Sequence, residues 1–134
     1  MRIRAILAGI AGGGLTAWLA WSPFIPDPLA FHAVALALIA AIYLGFALMD
    51  GRISIAILEW TVGTVFVVLA LLGLWQAPVL VAIGLILHGC WDLAHRPHGI
   101  PTRLPVWYPP FCAAYDFVFA GVFLLLAHRL ATRN

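Results

Sequence analysis

Long apolar runs, broken by short polar or proline-rich stretches, make up nearly all of the chain. Five runs approach the roughly 20 residues that a membrane-crossing helix needs, at about 3–21, 29–49, 53–75, 77–94 and 110–130. Each break has a physical reason. SPFIPDP, residues 22–28, carries three prolines, and the missing backbone donors stop a helix there. DGR at 50–52 is a polar turn with a glycine, and QAP at 76–78 divides the third run from the fourth. Residues 95–109 hold four prolines and two arginines. Pro109 and Pro110 suit the first turn of a fifth helix, where a lost N–H costs little. The pattern predicts an all-α fold, a polytopic transmembrane helical bundle of five spans forming one domain over 1–134. The fourth run is the shortest of the five.

Composition supports lipid as the solvent. Hydrophobic residues make up 65% of the chain and charged ones 9%, against about 45–50% and 25% in soluble domains. A core of this size could not hide so much apolar surface. The net charge of +2 is too small to suggest nucleic acid, and Cys90 and Cys112 are too few for a disulfide framework. The first run could imitate a signal peptide but lacks a clean small-x-small cleavage site, and is expected to be a retained helix.

Arginine placement sets an expected orientation. With five crossings, Arg2, Arg4, Arg52, Arg96 and Arg103 share one side, and only Arg129 and Arg133 fall on the other. The amino end is expected in the cytoplasm and the carboxyl end outside, in a cell inner (plasma) membrane. Trp18, Trp21 and Trp75 then fall near the outer interface, and Trp107 with Tyr108 near the inner one. Ala5, Gly9, Gly13 and Ala17 recur every four residues and share a helix face. Small residues let membrane helices approach closely. This face is expected to pack within the chain, or against a second copy in a homodimer or larger membrane complex.

The polar residues carry the candidate chemistry. A charge inside lipid costs roughly 2.5–3.5 kcal/mol on insertion scales, so an ionisable side chain within a span should face protein or water. His88, Asp92 and His95 are spaced i, i+4, i+7, one stripe of a helix, within the crowded segment HGCWDLAHRPHG. Glu59 and Asp116 each lie about six residues inside the third and fifth runs, roughly 9 Å deep, and His88 lies at a similar depth in the fourth. Glu59, His88, Asp92 and Asp116 are therefore expected to gather in the inner leaflet, with His95 at the mouth. Arg96, His98 and Arg103 would roof them. Plainer roles compete with this one. Asp92 and His95 could be simple helix-end polar residues, Glu59 and Asp116 could only lock helices together, and His32 and His128 are expected at the interface.

Three chemistries suit such a cluster. Carboxylic acids in an apolar pocket can donate protons near neutrality. With Glu59 or Asp116 as acid, His88 relaying protons and Asp92 orienting its ring, the pocket would isomerise or cyclise a lipid-like or isoprenoid ligand. Arginines of the 95–109 loop would hold its anionic head. Alternatively, His88, Asp92 and His95 could ligate a metal of the zinc, iron or manganese class, with Glu59 or Asp116 completing the set. In a non-enzymatic accessory subunit, His88 could ligate haem or a pigment.

The segments LHGCWDLAHRPHG and WYPPFCAAYDFVFAG resemble those of a family of small integral membrane proteins of unknown function. The resemblance rests on His88, Trp91 and Asp92, then on Trp107 to Phe111, Tyr115 and Asp116, and would cover most of the chain. It implies a multi-span membrane protein whose distinctive residues lie on the last two helices and their loop, and it supplies no substrate. Separately from the resemblance, Trp91 and Tyr115 are expected to join His95, Arg96, His98 and Arg103 in ligand binding.

Overall fold

The structure is a computed structural model that describes residues 2–95 and 99–131, without the side chains of 129–131. Five helices follow in order: α1 (Arg2–Ala20), α2 (Pro28–Asp50), α3 (Ile53–Trp75), α4 (Val79–Ala94) and α5 (Tyr108–Ala131). Among the described residues there is no strand. Helices α1, α2, α3 and α5 are long and apolar enough to cross a membrane, whereas α4 has 16 residues.

Local sequence explains the boundaries. Asp27 caps α2, its side chain accepting from the Ala30 N–H at 3.0 Å, and Pro28 opens the helix. Gly51 ends α2 at φ +77°, a left-handed conformation that favours glycine, so two residues suffice to turn the chain into α3. The α4 helix stops at His95, whose N–H donates to the Asp92 carbonyl in a tight last turn. Pro97 follows two residues later and disfavours continuation. The chain returns at Ile100, whose N–H donates to the Ala94 carbonyl at 3.0 Å and occupies one of the free carbonyls of that helix end.

Packing inverts the pattern of a soluble core. Many buried apolar side chains are small, among them Ala17, Ala20, Ala33, Ala40, Ala47, Ala70 and Ala82. Leu7, Trp18, Leu38, Leu48, Ile57, Trp75 and other large apolar residues face outward. Small residues inside and large apolar ones outside suit helices that associate by close approach within lipid. Helix α1 lies along α5, α2 along α3, and α4 is held between α3 and α5 while also touching α2. The small-residue stripe of α1 is buried in this arrangement. A Cβ on Gly13 would come within 2.6 Å of the Tyr115 carbonyl, and one on Gly9 would run into the Phe111 carbonyl. Of the two partners expected for that stripe, α5 of the same chain packs on it.

The short α4 creates the feature that matters for function. At 1.5 Å per residue it is about 24 Å long, against about 34 Å for α3. Its C-terminal residue His95 meets Glu59, the seventh residue of α3, and so stops well short of the α2–α3 turn. Over the step that this leaves lie residues 101–103, with Thr102 donating to Glu59 and the Pro101 carbonyl accepting from Arg52.

Candidate functional site

The buried stripes of α2, α3, α4 and α5 each bring polar residues inward. On α2, Leu36, Ala40, Tyr43, Ala47 and Asp50 follow the helical repeat. On α3, Ile55, Glu59 and Gly63 do so, and on α4, Leu85, His88 and Asp92. Tyr43, Glu59, His88, Asp92 and Asp116 are each at most 1% exposed. Four helices thus place acids and imidazoles in the interior, where each needs a partner.

They form two adjoining clusters rather than one. In the deeper cluster, His88 Nδ1 lies 2.7 Å from Asp116 Oδ2 and 3.5 Å from Asp92 Oδ2. The shorter distance is a hydrogen bond and the longer one is not, so Asp116, rather than the expected Asp92, orients the His88 ring. The Tyr43 hydroxyl donates to Asp92 Oδ1 at 2.5 Å. In the second cluster, His95 Nε2 is 2.8 Å from Glu59 Oε1, the Thr102 hydroxyl donates to the same oxygen at 2.5 Å, and the Trp91 indole N–H donates to Oε2 at 3.2 Å. His95 Nδ1 donates to the Trp91 carbonyl at 2.9 Å. A carbonyl only accepts, so the proton on Nδ1 is fixed, and the bond to Glu59 contains a second one. The Tyr43 ring joins the clusters, its centroid 5.6 Å from that of His88 and 4.7 Å from that of His95.

A third group clamps the segment above them. Arg52 donates to both Asp50 oxygens, at 2.5 and 2.8 Å, and to the Pro101 carbonyl at 2.5 Å. The Arg103 N–H donates to Asp50 Oδ2 at 2.9 Å. Asp50 and Arg52 of the DGR turn therefore form a charge pair that also anchors the loop carrying Thr102.

Beneath this loop lies a cavity of about 680 Å³. Arg2 and Arg103 are on its wall, with Ile6, Leu93, Leu104 and Val106 as apolar lining, and Asp92 and His95 also border it. Asp92 has no exposed surface, so its carboxylate is sealed behind the cavity wall. The volume is in the range of small-molecule sites.

A family profile matches residues 3–129, almost the entire chain. The chain belongs to DUF6010, a family of unknown function. No curated protein and no solved structure matches it. The DUF6010 assignment agrees with the resemblance read from the segments around His88 and Asp116.

In this DUF6010 member the expected site residues separate by location. Glu59, His88, Asp92 and Asp116 are buried together with His95 as two neighbouring clusters. The group able to offer metal-ligand atoms is His88, Asp92 and Asp116. The expected set of His88, Asp92 and His95 is not assembled, because His95 turns to Glu59. Trp91 supports Glu59 and is not on the cavity wall. Tyr115 lies on the α1–α5 seam beside Gly12, with its ring against those of Phe111 and Phe119. Arg103 borders the cavity, while Arg96 and His98 lie outside the described residues. A haem or pigment at His88 would have to displace Tyr43 and Phe66, whose rings pack against the imidazole.

Three residues enter the site without a forecast from sequence. Tyr43 and Thr102 donate into the clusters, and Tyr108, expected at an interface, is buried against Tyr43 and Phe46. Tyr43 had a signal in its spacing, seven residues before Asp50 on the same face. Thr102 had none, since a proline-rich loop has no period. His32, also expected at an interface, is fully buried near the start of α2, stacked on Phe119 with centroids 4.1 Å apart.

Proposed function

We propose that this protein is a five-span membrane protein that binds an anionic, lipid-like ligand in the cavity beside α4. The short α4 completes its crossing with the segment that follows it, and the arginine-rich end faces the cytoplasm. The observation that carries this reading is the cavity itself. It combines two guanidinium groups, Arg2 and Arg103, with an apolar wall, and Asp92 and His95 lie directly behind that wall. Arginine suits a phosphate or carboxylate head, and the apolar lining suits the chain attached to it.

Acid–base chemistry is the extension that the surroundings support. His95 is held by Glu59, and Asp92 is backed by Tyr43, His88 and Asp116. Such paired groups can deliver a proton to one carbon of an isoprenoid-like ligand and remove one from another. That is double-bond isomerisation or cyclisation, and it needs no further reactant.

The test is native mass spectrometry of the protein extracted in mild detergent, with phosphatidic acid and an isoprenyl phosphate as added probes. A bound anionic amphiphile is expected for the wild type, and its loss for the Arg2→Ala/Arg103→Ala double variant. A wild type that carries neither probe, or a double variant that carries them equally well, overturns the proposal.

A further inference from the structure

Two carboxylates and one imidazole share the deeper cluster, and their hydrogen bonds do not account for all their polar atoms. Tyr43 serves Asp92 Oδ1 and His88 serves Asp116 Oδ2. Asp92 Oδ2, Asp116 Oδ1 and His88 Nε2 are left without a hydrogen-bond partner, although all three side chains are buried. Asp92 Oδ2 faces into the cluster, 3.5 Å from His88 Nδ1. Orphaned carboxylate oxygens in an apolar interior are costly, and one imidazolium would offset only one of the two charges.

We propose that His88, Asp92 and Asp116 bind a divalent transition-metal cation. Each residue offers one ligand atom, and these atoms all lie within 4.8 Å of one another. Metal–ligand bonds of about 2.1 Å in tetrahedral geometry put ligand atoms about 3.4 Å apart. The 3.5 Å between His88 Nδ1 and Asp92 Oδ2 already meets that spacing. The 2.7 Å between His88 Nδ1 and Asp116 Oδ2 is a hydrogen-bond length. The cation replaces the proton there, and the two atoms part by about 0.7 Å. Two carboxylates, a neutral imidazole and a dication sum to zero charge, which is what an apolar interior demands. One nitrogen and two carboxylate donors suit zinc, iron(II) or manganese(II). Tyr43 holds Asp92 in the manner of the outer hydrogen bonds that orient metal-binding carboxylates. Three protein ligands leave a coordination position open.

The test measures metal content by elemental analysis of the purified full chain, stripped with chelator and reloaded with zinc, manganese or iron(II) in turn. About one ion per chain is expected for at least one of them, with content about 10-fold lower or less in Asp116→Asn. Glu59→Gln, in the neighbouring cluster, is expected to load as the wild type does. A wild type that stays below about one-tenth of an ion per chain with all three metals overturns the proposal, as does an Asp116→Asn variant that loads fully. Should that variant fail to fold, cobalt(II) on the wild type reads the site directly. Visible absorption of a low-coordinate nitrogen–oxygen centre is expected, and its absence overturns the assignment. Metal content is independent of whether the cavity takes an amphiphile, so the two proposals fail separately.

Discussion

His88 Nδ1 and Asp116 Oδ2 lie 2.7 Å apart with both side chains closed off, tying α4 to α5 at the centre of the bundle. Removing one member leaves the other buried without its partner, which costs about 3–5 kcal/mol where such pairs have been broken. His88→Ala is therefore expected to lower the thermal midpoint in detergent sharply. The His88→Leu/Asp116→Leu double variant is expected to be less destabilised than the sum of its single changes, because it leaves neither member of the pair buried without the other. Additive losses in that cycle would show that the two groups do not act as a pair.

The seam between α1 and α5 makes a second forecast. A Cβ at Gly13 would sit 2.6 Å from the Tyr115 carbonyl, a backbone atom that cannot swing aside, whereas one at Gly14 would meet nothing within 4 Å. Gly13→Ala should push the helices apart and destabilise by about 1–3 kcal/mol. Gly14→Ala should be neutral or stabilise by up to about 1 kcal/mol through helix propensity. Thermal unfolding of the two single variants, side by side, decides the matter. Equal midpoints would mean that α1 does not pack on α5 through this face.

Much of the site was legible because membrane helices punish stray polarity. Glu59 and Asp116 stand alone in apolar runs, His88 and Asp92 share one stripe of a third, and all four are buried. What escaped was decided by geometry outside regular helix. His95 was placed on the stripe of His88 and Asp92 by helical spacing, but it is the cap residue, with ψ +47°, and leaves the helical path toward α3. That single departure divides the expected pocket into two clusters. The small-residue stripe of α1 announced a packing face without naming the helix that fills it, since α1 and α5 lie at opposite ends of the chain. Tyr43 was hidden because an aromatic ring in an apolar run reads as core, and only its hydroxyl, bonded to Asp92, reveals the role.

The clamp around Asp50 gives a third forecast. Asp50 accepts from Arg52 and from the Arg103 N–H, and Arg52 reaches on to the Pro101 carbonyl. The hydrogen bonds that Arg52 donates to Asp50 hold its guanidinium above its ordinary range. A group whose folded value is raised keeps its contribution until the pH passes that value, so mildly alkaline buffer should not open the clamp. Asp50→Ala should open it. Trypsin cleavage after the exposed Arg103 is expected to accelerate several-fold in the variant, and in the wild type its rate relative to an unstructured arginine peptide is expected to stay constant between pH 7 and 9. An unchanged rate in Asp50→Ala would mean that the loop is held by other contacts.

The last forecast concerns α4, whose 16 residues span about 24 Å, less than the roughly 30 Å of a bilayer core. A helix this short completes a crossing only if the bilayer thins locally or the following segment carries the chain to the water boundary. The clamped loop supplies such a continuation, since His95 meets Glu59 about 9 Å into α3 and Pro101 meets Arg52 at the α2–α3 turn. Five crossings put the segments before α1 and after α5 on opposite sides. An α4 that enters and returns leaves four crossings, with both segments on the same side. Paired reporters, one active only in the cytoplasm and one only outside, fused in front of Arg2 and after Ala131, read this parity. Opposite signals are expected, with the front reporter cytoplasmic. Matching signals at the two positions would remove α4 from the set of crossings and, with it, the inner-leaflet depth assigned to His88 and Asp92.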